Sequence, residues 1–327
     1  MFEERYAERI KNLSPSPIRK MMAIAKDLMA QGKIVYELNI GQPDIECIPE
    51  FIQAITRKAQ TGQINYSPII GETYLRETYA RYLNSFFDRQ QKSHLVIDTE
   101  NVLITVGASH ALTSTFLGLC NPGDEVLVVE PYFSPYKGFL AVAGGTLRAI
   151  PTRAEDDFAL PPTEEIEKLI TPRTRAIIFN SPNNPSGKIY SKAEVERLAR
   201  ICIEHNLFII SDEVYREMTL SDQEAFSVLQ VDFGNDEMNE KLKNAIIMID
   251  SASKTFSLCG VRIGFLVARQ PILEKLALVV AHTTACVSDI MQYGVAGAYD
   301  AILAQPAYLE EMRRVYRERL EATIAAI

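Results

Sequence analysis

Five cysteines, at positions 47, 120, 202, 259 and 286, are odd in number and share no CxxC spacing. That pattern excludes a disulfide framework and a thiolate zinc site, and it fits free thiols in a reducing cytoplasm. The four histidines are just as dispersed, with no HExxH, so no metal site is expected. Basic residues are outnumbered, 34 Lys and Arg against 42 Asp and Glu. A net charge of −8 offers nothing to neutralise a phosphate backbone, which argues against a nucleic-acid partner. No apolar run approaches the ~18 residues of a membrane span. The opening MFEERYAERIKNL mixes both charges where a secretory signal would have an apolar core. Neither GxGxxG nor GK[ST] occurs, and there is no internal repeat or low-complexity tract.

What is present is the composition of a globular protein, 47% apolar and 23% charged, long enough for two domains. Ser14-Pro-Ser-Pro17 reads as a turn, followed by helical apolar spacing from Ile18 to Ala30. A short strand is expected over Val35–Ile40, then loop punctuation at Gly41-Gln-Pro-Asp44. Helices are expected at 49–59 and 72–87, with a loop around Asn65-Tyr-Ser-Pro. From about residue 101 strands and helices alternate. Strands are expected at 102–106, 125–129, 146–150, 175–180, 207–211, 245–250 and 263–268, with helices at 109–119, 133–143, 163–170 and 191–205. That rhythm predicts an α/β fold, a three-layer α/β/α large domain on a mostly parallel seven-stranded sheet. The stretch from 289 to Ile327 reads as long and helical. It ends without a C-cap residue, which points to a fragment with an incomplete small α+β domain.

Five segments carry chemistry, and each has a plainer reading. Lys254, between two apolar runs, is either a solvated loop lysine or an amine kept for Schiff-base chemistry. Thr105-Val-Gly-Ala-Ser-His-Ala111 is a strand–helix turn, ordinary or phosphate-binding. Tyr132 or Phe133 either packs in the core or stacks on a flat ligand. In Asn180-Ser-Pro-Asn-Asn-Pro-Ser-Gly187, Asn184 either makes a turn or offers its amide to a ligand. Asp212 ends a buried strand in Ile209-Ile-Ser-Asp-Glu-Val-Tyr215, as a helix cap or as the partner of a cation, with Tyr215 within reach.

Taken together and in order, these segments resemble the pyridoxal-phosphate aminotransferases of fold type I, class I/II. The lysine segment carries the resemblance furthest: Ser251-Ala-Ser-Lys254, then Ser257-Leu258, Gly260 and Arg262-Ile-Gly264. The resemblance implies pyridoxal 5'-phosphate, joined to Lys254 as a Schiff base, the internal aldimine. Asp212 is implied as partner of the pyridine nitrogen, Tyr215 and Asn184 as partners of the ring phenolate, and Phe133 as the stacking ring. Ala108, Ser109, Ser251 and Arg262 would hold the phosphate. Tyr66 would reach the phosphate of a neighbouring subunit, making a homodimer, and Gly41 with Asn184 would lie against the substrate carboxylate.

The implied activity moves an amino group from an amino acid to a 2-oxo acid, in amino-acid metabolism. The other readings are another fold type I enzyme (a lyase or decarboxylase) or a cofactor-binding protein without catalysis. The second arises because no residue can be assigned to the family's second carboxylate-binding arginine. His110 stands where some aspartate-using relatives have lysine. Residues 1–44 are expected to form an arm and part of a small domain, 45–288 the large cofactor domain, and 289–327 an interdomain helix with the start of a truncated lobe.

Overall fold

The computed structural model describes residues 5–11, 13, 17–36, 41–90 and 96–327. The expected turn at 14–16 and most of the expected strand, 37–40, lie outside them. Seven strands form one sheet: β1 (Val102–Thr105), β2 (Glu125–Val129), β3 (Thr146–Ile150), β4 (Thr174–Asn180), β5 (Phe208–Asp212), β6 (Ile246–Ser251) and β7 (Gly264–Val267). Their spatial order is β1-β7-β6-β5-β4-β2-β3. Only β7 runs against its neighbours. The strands are apolar nearly throughout because both faces of the sheet are covered.

Helices α1 (Glu8–Lys11), α2 (Pro17–Ala30), α3 (Pro49–Gln60) and α4 (Thr73–Gln90) precede the sheet. Between strands lie α5 (Gly107–Leu119), α6 (Pro135–Val142), α7 (Thr163–Glu167), α8 (Lys192–Glu204), α9 (Asp236–Lys243) and α10 (Ala252–Thr255). After β7 come α11 (Gln270–Thr283), α12 (Asp289–Ala304) and α13 (Ala307–Ala326). Alternate strand residues feed two cores. Leu103, Val128, Ile210 and Ile249 pack with α5, α6 and α11, whereas Ile104, Val129, Ile209 and Met248 pack with α3, α4, α8 and α12. The result is the expected three-layer α/β/α arrangement.

The helical stretch from 289 divides at Pro306, which lacks the N–H that would continue the ladder. Helices α9 and α11 were not anticipated from the sequence. Among the residues of α2 whose side chains are described, Met21, Met22, Ile24 and Met29 are exposed and Ala25 alone is buried.

The sheet's register builds one corner of the molecule. Gly264 lies between Thr105 and Ser251, so the start of α5 and the end of β6 meet across it. A Cβ at Gly264 would come 2.4 Å from the carbonyl carbon of Gly107 and 2.6 Å from the nitrogen of Ala108. Both obstacles are backbone, which has no room to give. We expect Gly264→Ala to destabilise the fold by about 3 kcal/mol. A denaturant midpoint unchanged from the parent would refute that close approach.

Candidate active site

Strands β1, β4, β5 and β6 all end at this corner, where open parallel sheets form their crevices. A cavity of about 730 Å³ opens there. Gly41, Ala108, Ser109, Phe133, Asn184, Asp212, Tyr215, Ser251, Lys254 and Arg262 all line it. These are ten of the eleven residues singled out in the sequence. The eleventh, Tyr66, is 92% exposed and lies outside the cavity. A second cavity of about 580 Å³ shares Gly41, Asn184, Tyr215 and Lys254 and extends to Met218, Leu220, Tyr316 and Leu320.

On one side the cavity is a nest of donors. Helix α5 begins at Gly107, whose φ of +71° suits glycine, and no side chain caps its first turn. The open N–H groups of Ala108 and Ser109 therefore face an anion-binding position at a helix N-terminus. Arg262 packs beneath this turn, so closely that a Cβ on Gly107 would come 2.3 Å from its Nη2. Nη1 of Arg262 donates to the Cys259 carbonyl at 2.9 Å, which aims the guanidinium. Ser251 caps the short α10: its Oγ accepts from the Ser253 N–H at 3.1 Å and donates to the Ile263 carbonyl at 3.0 Å.

The turn is also held from behind. Nδ1 of His110 accepts from the Val106 N–H at 3.2 Å, and its Nε2 lies 2.8 Å from the Thr283 hydroxyl. Burial lowers the imidazole pKa, which suits the neutral ring that accepting at Nδ1 requires. His110 thus braces α5 against α11 and is not among the residues lining the cavity.

The opposite wall is carboxylate, amide and phenol. Asp212 is buried and accepts from the Tyr136 hydroxyl at 2.5 Å. Burial pushes its pKa up to about 6, with the Tyr136 bond working the other way. Tyr136 was the functional contact the sequence reading missed. It lies one helical turn after Phe133, and its ring meets that of Phe133 edge-on at 5.5 Å. The amide of Asn184 donates to the Tyr215 hydroxyl at 3.0 Å. The Asn184 N–H in turn donates to Asn180 Oδ1 at 2.6 Å, and Asn180 Nδ2 to the Asp212 carbonyl at 2.8 Å. Between the walls, Lys254 Nζ donates to the Gly41 carbonyl at 2.5 Å and sits 5.7 Å from the Tyr215 ring centre. Burial lowers the Lys254 pKa; Arg262 lowers it further and Cys259 opposes. Amine chemistry needs that direction of shift.

A dianion cradle, a buried carboxylate, a phenol–amide pair and a half-buried lysine around one cavity are the donor set that pyridoxal phosphate requires. Residues 33–327 match the family of class I and II aminotransferases. The chain belongs to that family. As an aminotransferase of this class it uses pyridoxal 5'-phosphate as cofactor. It is 31% identical over 323 residues to the aspartate aminotransferase of Bacillus subtilis, covering 99% of this chain and 78% of that protein. It is 33% identical to aromatic-amino-acid aminotransferase 2 of Thermococcus litoralis, over 96% of this chain and 76% of that one. A solved structure of Thermus thermophilus aspartate aminotransferase, a double mutant, superposes with a TM-score of 0.87 at 32% identity, covering 98% of this aminotransferase and 80% of that chain. The non-catalytic and lyase readings are not favoured. Among the described residues no cluster of His, Cys, Asp and Glu could hold a metal, and no helix is long and apolar enough to cross a membrane.

Proposed function

We propose that Lys254 is the amine that carries the cofactor and the base that moves the proton at the substrate Cα. Pyridoxal phosphate, when bound, supplies the electron sink for the negative charge that develops at Cα. The chain's own residues set the geometry and the charge. Asp212 holds the proton on the pyridine nitrogen, Tyr215 and Asn184 orient the ring through its phenolate, and Phe133 stacks on it. The phosphate rests on Ala108, Ser109, Ser251 and Arg262. Gly41 and Asn184 meet the substrate carboxylate, with the Gly41 carbonyl already at the amine it would have to share. The observation that carries this reading is the convergence of ten residues, from segments spread over more than 200 positions, on one cavity.

Arg262 tests the phosphate assignment. A charge-assisted bond to a phosphate is worth about 1.5–3 kcal/mol, so Arg262→Ala should weaken cofactor binding roughly 10- to 100-fold. Unchanged affinity in a fluorescence titration would remove Arg262 from the site.

The reaction is the exchange of an amino group between an amino acid and a 2-oxo acid. Aspartate and the aromatic amino acids lead as donors, because relatives are named for both. The experiment is a donor panel mixed with the cofactor-loaded protein and followed by absorbance. Conversion of the cofactor band to a pyridoxamine-like one identifies the donors, and no conversion with any amino acid defeats the transamination reading.

A homodimer is part of the proposal. The exposed Tyr66 and the exposed apolar residues of α2 support it, since a second copy would cover both. We also infer a cytoplasmic enzyme from the dispersed free cysteines. The domain division is kept as an arm over 1–44, a cofactor domain over 45–288 that holds the whole sheet, and a helical segment over 289–327 leading from it.

A further inference from the structure

On the face of the sheet away from the cofactor cavity, two carboxylates share one arginine, and none of the three touches the cavity. Glu213 follows β5 and Asp250 lies near the end of β6, with the two strands parallel and Asp212 paired with Ile249. Arg216 bridges them, Nη1 to Glu213 at 3.0 Å and Nη2 to Asp250 at 2.5 Å. All three side chains are 2–3% exposed. The remaining carboxylate positions are filled. Glu213 accepts from the hydroxyls of Ser211 and Ser227 and from the Val228 N–H. Asp250 accepts from the Tyr79 hydroxyl at 2.7 Å and from the Ser251 N–H at 2.6 Å. From α4, the rings of Phe86 and Tyr82 pack 5.1 and 5.8 Å from the guanidinium.

Each member of this triad is the chain neighbour of a residue in the cavity: Glu213 of Asp212, Arg216 of Tyr215, and Asp250 of Ser251. A buried ion cluster is weak evidence for stability, because apolar replacements often serve as well. It does fix a geometry, since each partner left alone would be a buried, unpaired charge. We propose that Arg216 is a positioning residue, which through Glu213 and Asp250 fixes the ends of β5 and β6 and so sets Asp212, Tyr215 and Ser251 at the spacing the cofactor requires. The inference rests on the reading in which those three residues hold the cofactor.

The triad has an electrostatic signature as well. Burial raises the pKa of both Glu213 and Asp250 and Arg216 opposes it; when both are ionised, the two carboxylates outnumber the one guanidinium behind Asp212. The groups facing Asp212 are Tyr136 from α6, Tyr215 and Glu213 from its own segment, and Asp250 from β6; Asp250 and Glu213 both add to the upward push that burial gives its pKa. Farther out, Tyr82 and Tyr79 lie around Arg216, and Glu217 pairs with Arg313 of α13 at 2.9 Å. Neutralising Asp250 therefore makes Asp212 a stronger acid.

The test is the affinity for pyridoxal 5'-phosphate between about pH 5 and pH 9, where Asp212 changes charge. It is measured by absorbance on the full chain, alongside the melting temperature. Arg216→Met should weaken binding about tenfold or more near pH 8, where loss of charge on Asp212 cannot be the cause, and Arg216→Lys should recover part of it. Asp250→Asn should move the acid-side fall in affinity to lower pH by about half a unit or more. Leu198→Ala, buried on α8 and neither hydrogen-bonded to the triad nor lining the cavity, should lower the melting temperature and leave affinity alone. If Arg216→Met does not fold, the lysine and Asp250 variants carry the test. Affinity and acid-side fall matching the parent in the folded Arg216 and Asp250 variants, whatever their melting temperatures, overturn the proposal. An acid-side fall that survives in Asp212→Asn instead refutes the pairing of Asp212 with the cofactor, a separate failure.

Discussion

Lys254→Ala should lose at least about 10³-fold in turnover with any amino donor, the largest effect of any single substitution in this chain. Two functions disappear together. The alanine cannot carry the cofactor, and no other group stands ready to move the proton at Cα. Among the lysines of the described residues, only Lys254 lines either of the two connected cavities. The two hydroxyls of its segment that line the cavity, Ser251 and Ser253, are occupied with each other and with backbone. The loss should sit in kcat, with cofactor affinity falling less because the phosphate grip of α5 and Arg262 is untouched. Stopped-flow spectra of the variant with and without donor would show no conversion of the cofactor band. Turnover within tenfold of the parent would mean that another amine carries the cofactor.

The second large effect belongs to Asp212, and its sign changes with the cofactor. Burial raises this carboxyl from 3.8 to about 6. In the cofactor-free protein the group therefore binds a proton in the folded state at pH values where the unfolded chain has released it. Stability from this residue is greatest below the unfolded pKa, declines as pH rises toward about 6, and is lowest above it. Asp212→Asn removes that penalty, so the cofactor-free variant should be more stable than the parent near pH 8, by about 1–3 kcal/mol. With cofactor the order reverses. The amide cannot hold a protonated pyridine nitrogen, and turnover should fall about 10²-fold or more. For the parent, cofactor affinity should drop as pH falls through about 6, where Asp212 takes a proton. Thermal melts of both proteins, with and without cofactor, check this. A variant less stable than the parent in both states would refute the account of Asp212.

Much of the fold was legible because buried parallel strands announce themselves as apolar runs, and all seven were placed to within one or two residues. The reversed direction of β7 was not, since an apolar run carries no sense of direction. It follows from the short return between α10 and Gly264. Helix α9, DEMNEKLK, is almost wholly polar, with Asn239 and Leu242 its only buried residues. Helix α11 hides its period in the run Leu276-Ala-Leu-Val-Val280. The cavity residues were legible as motifs, but their bracing was not. Tyr136 meets Asp212 across 76 positions and Arg216 meets Asp250 across 34, contacts set by strand register and helix packing. His110 stands where a substrate-facing lysine was the comparison, and the structure turns it to the scaffold instead.

The central claim is that one particular amine carries the cofactor. Borohydride treatment of the cofactor-loaded chain fixes pyridoxal phosphate to whichever lysine holds it, and peptide mass spectrometry then reads the position. The account predicts a single modified peptide, with the label on Lys254 in Ser251-Ala-Ser-Lys-Thr255. A label on any other lysine, or none on the loaded protein, would contradict it.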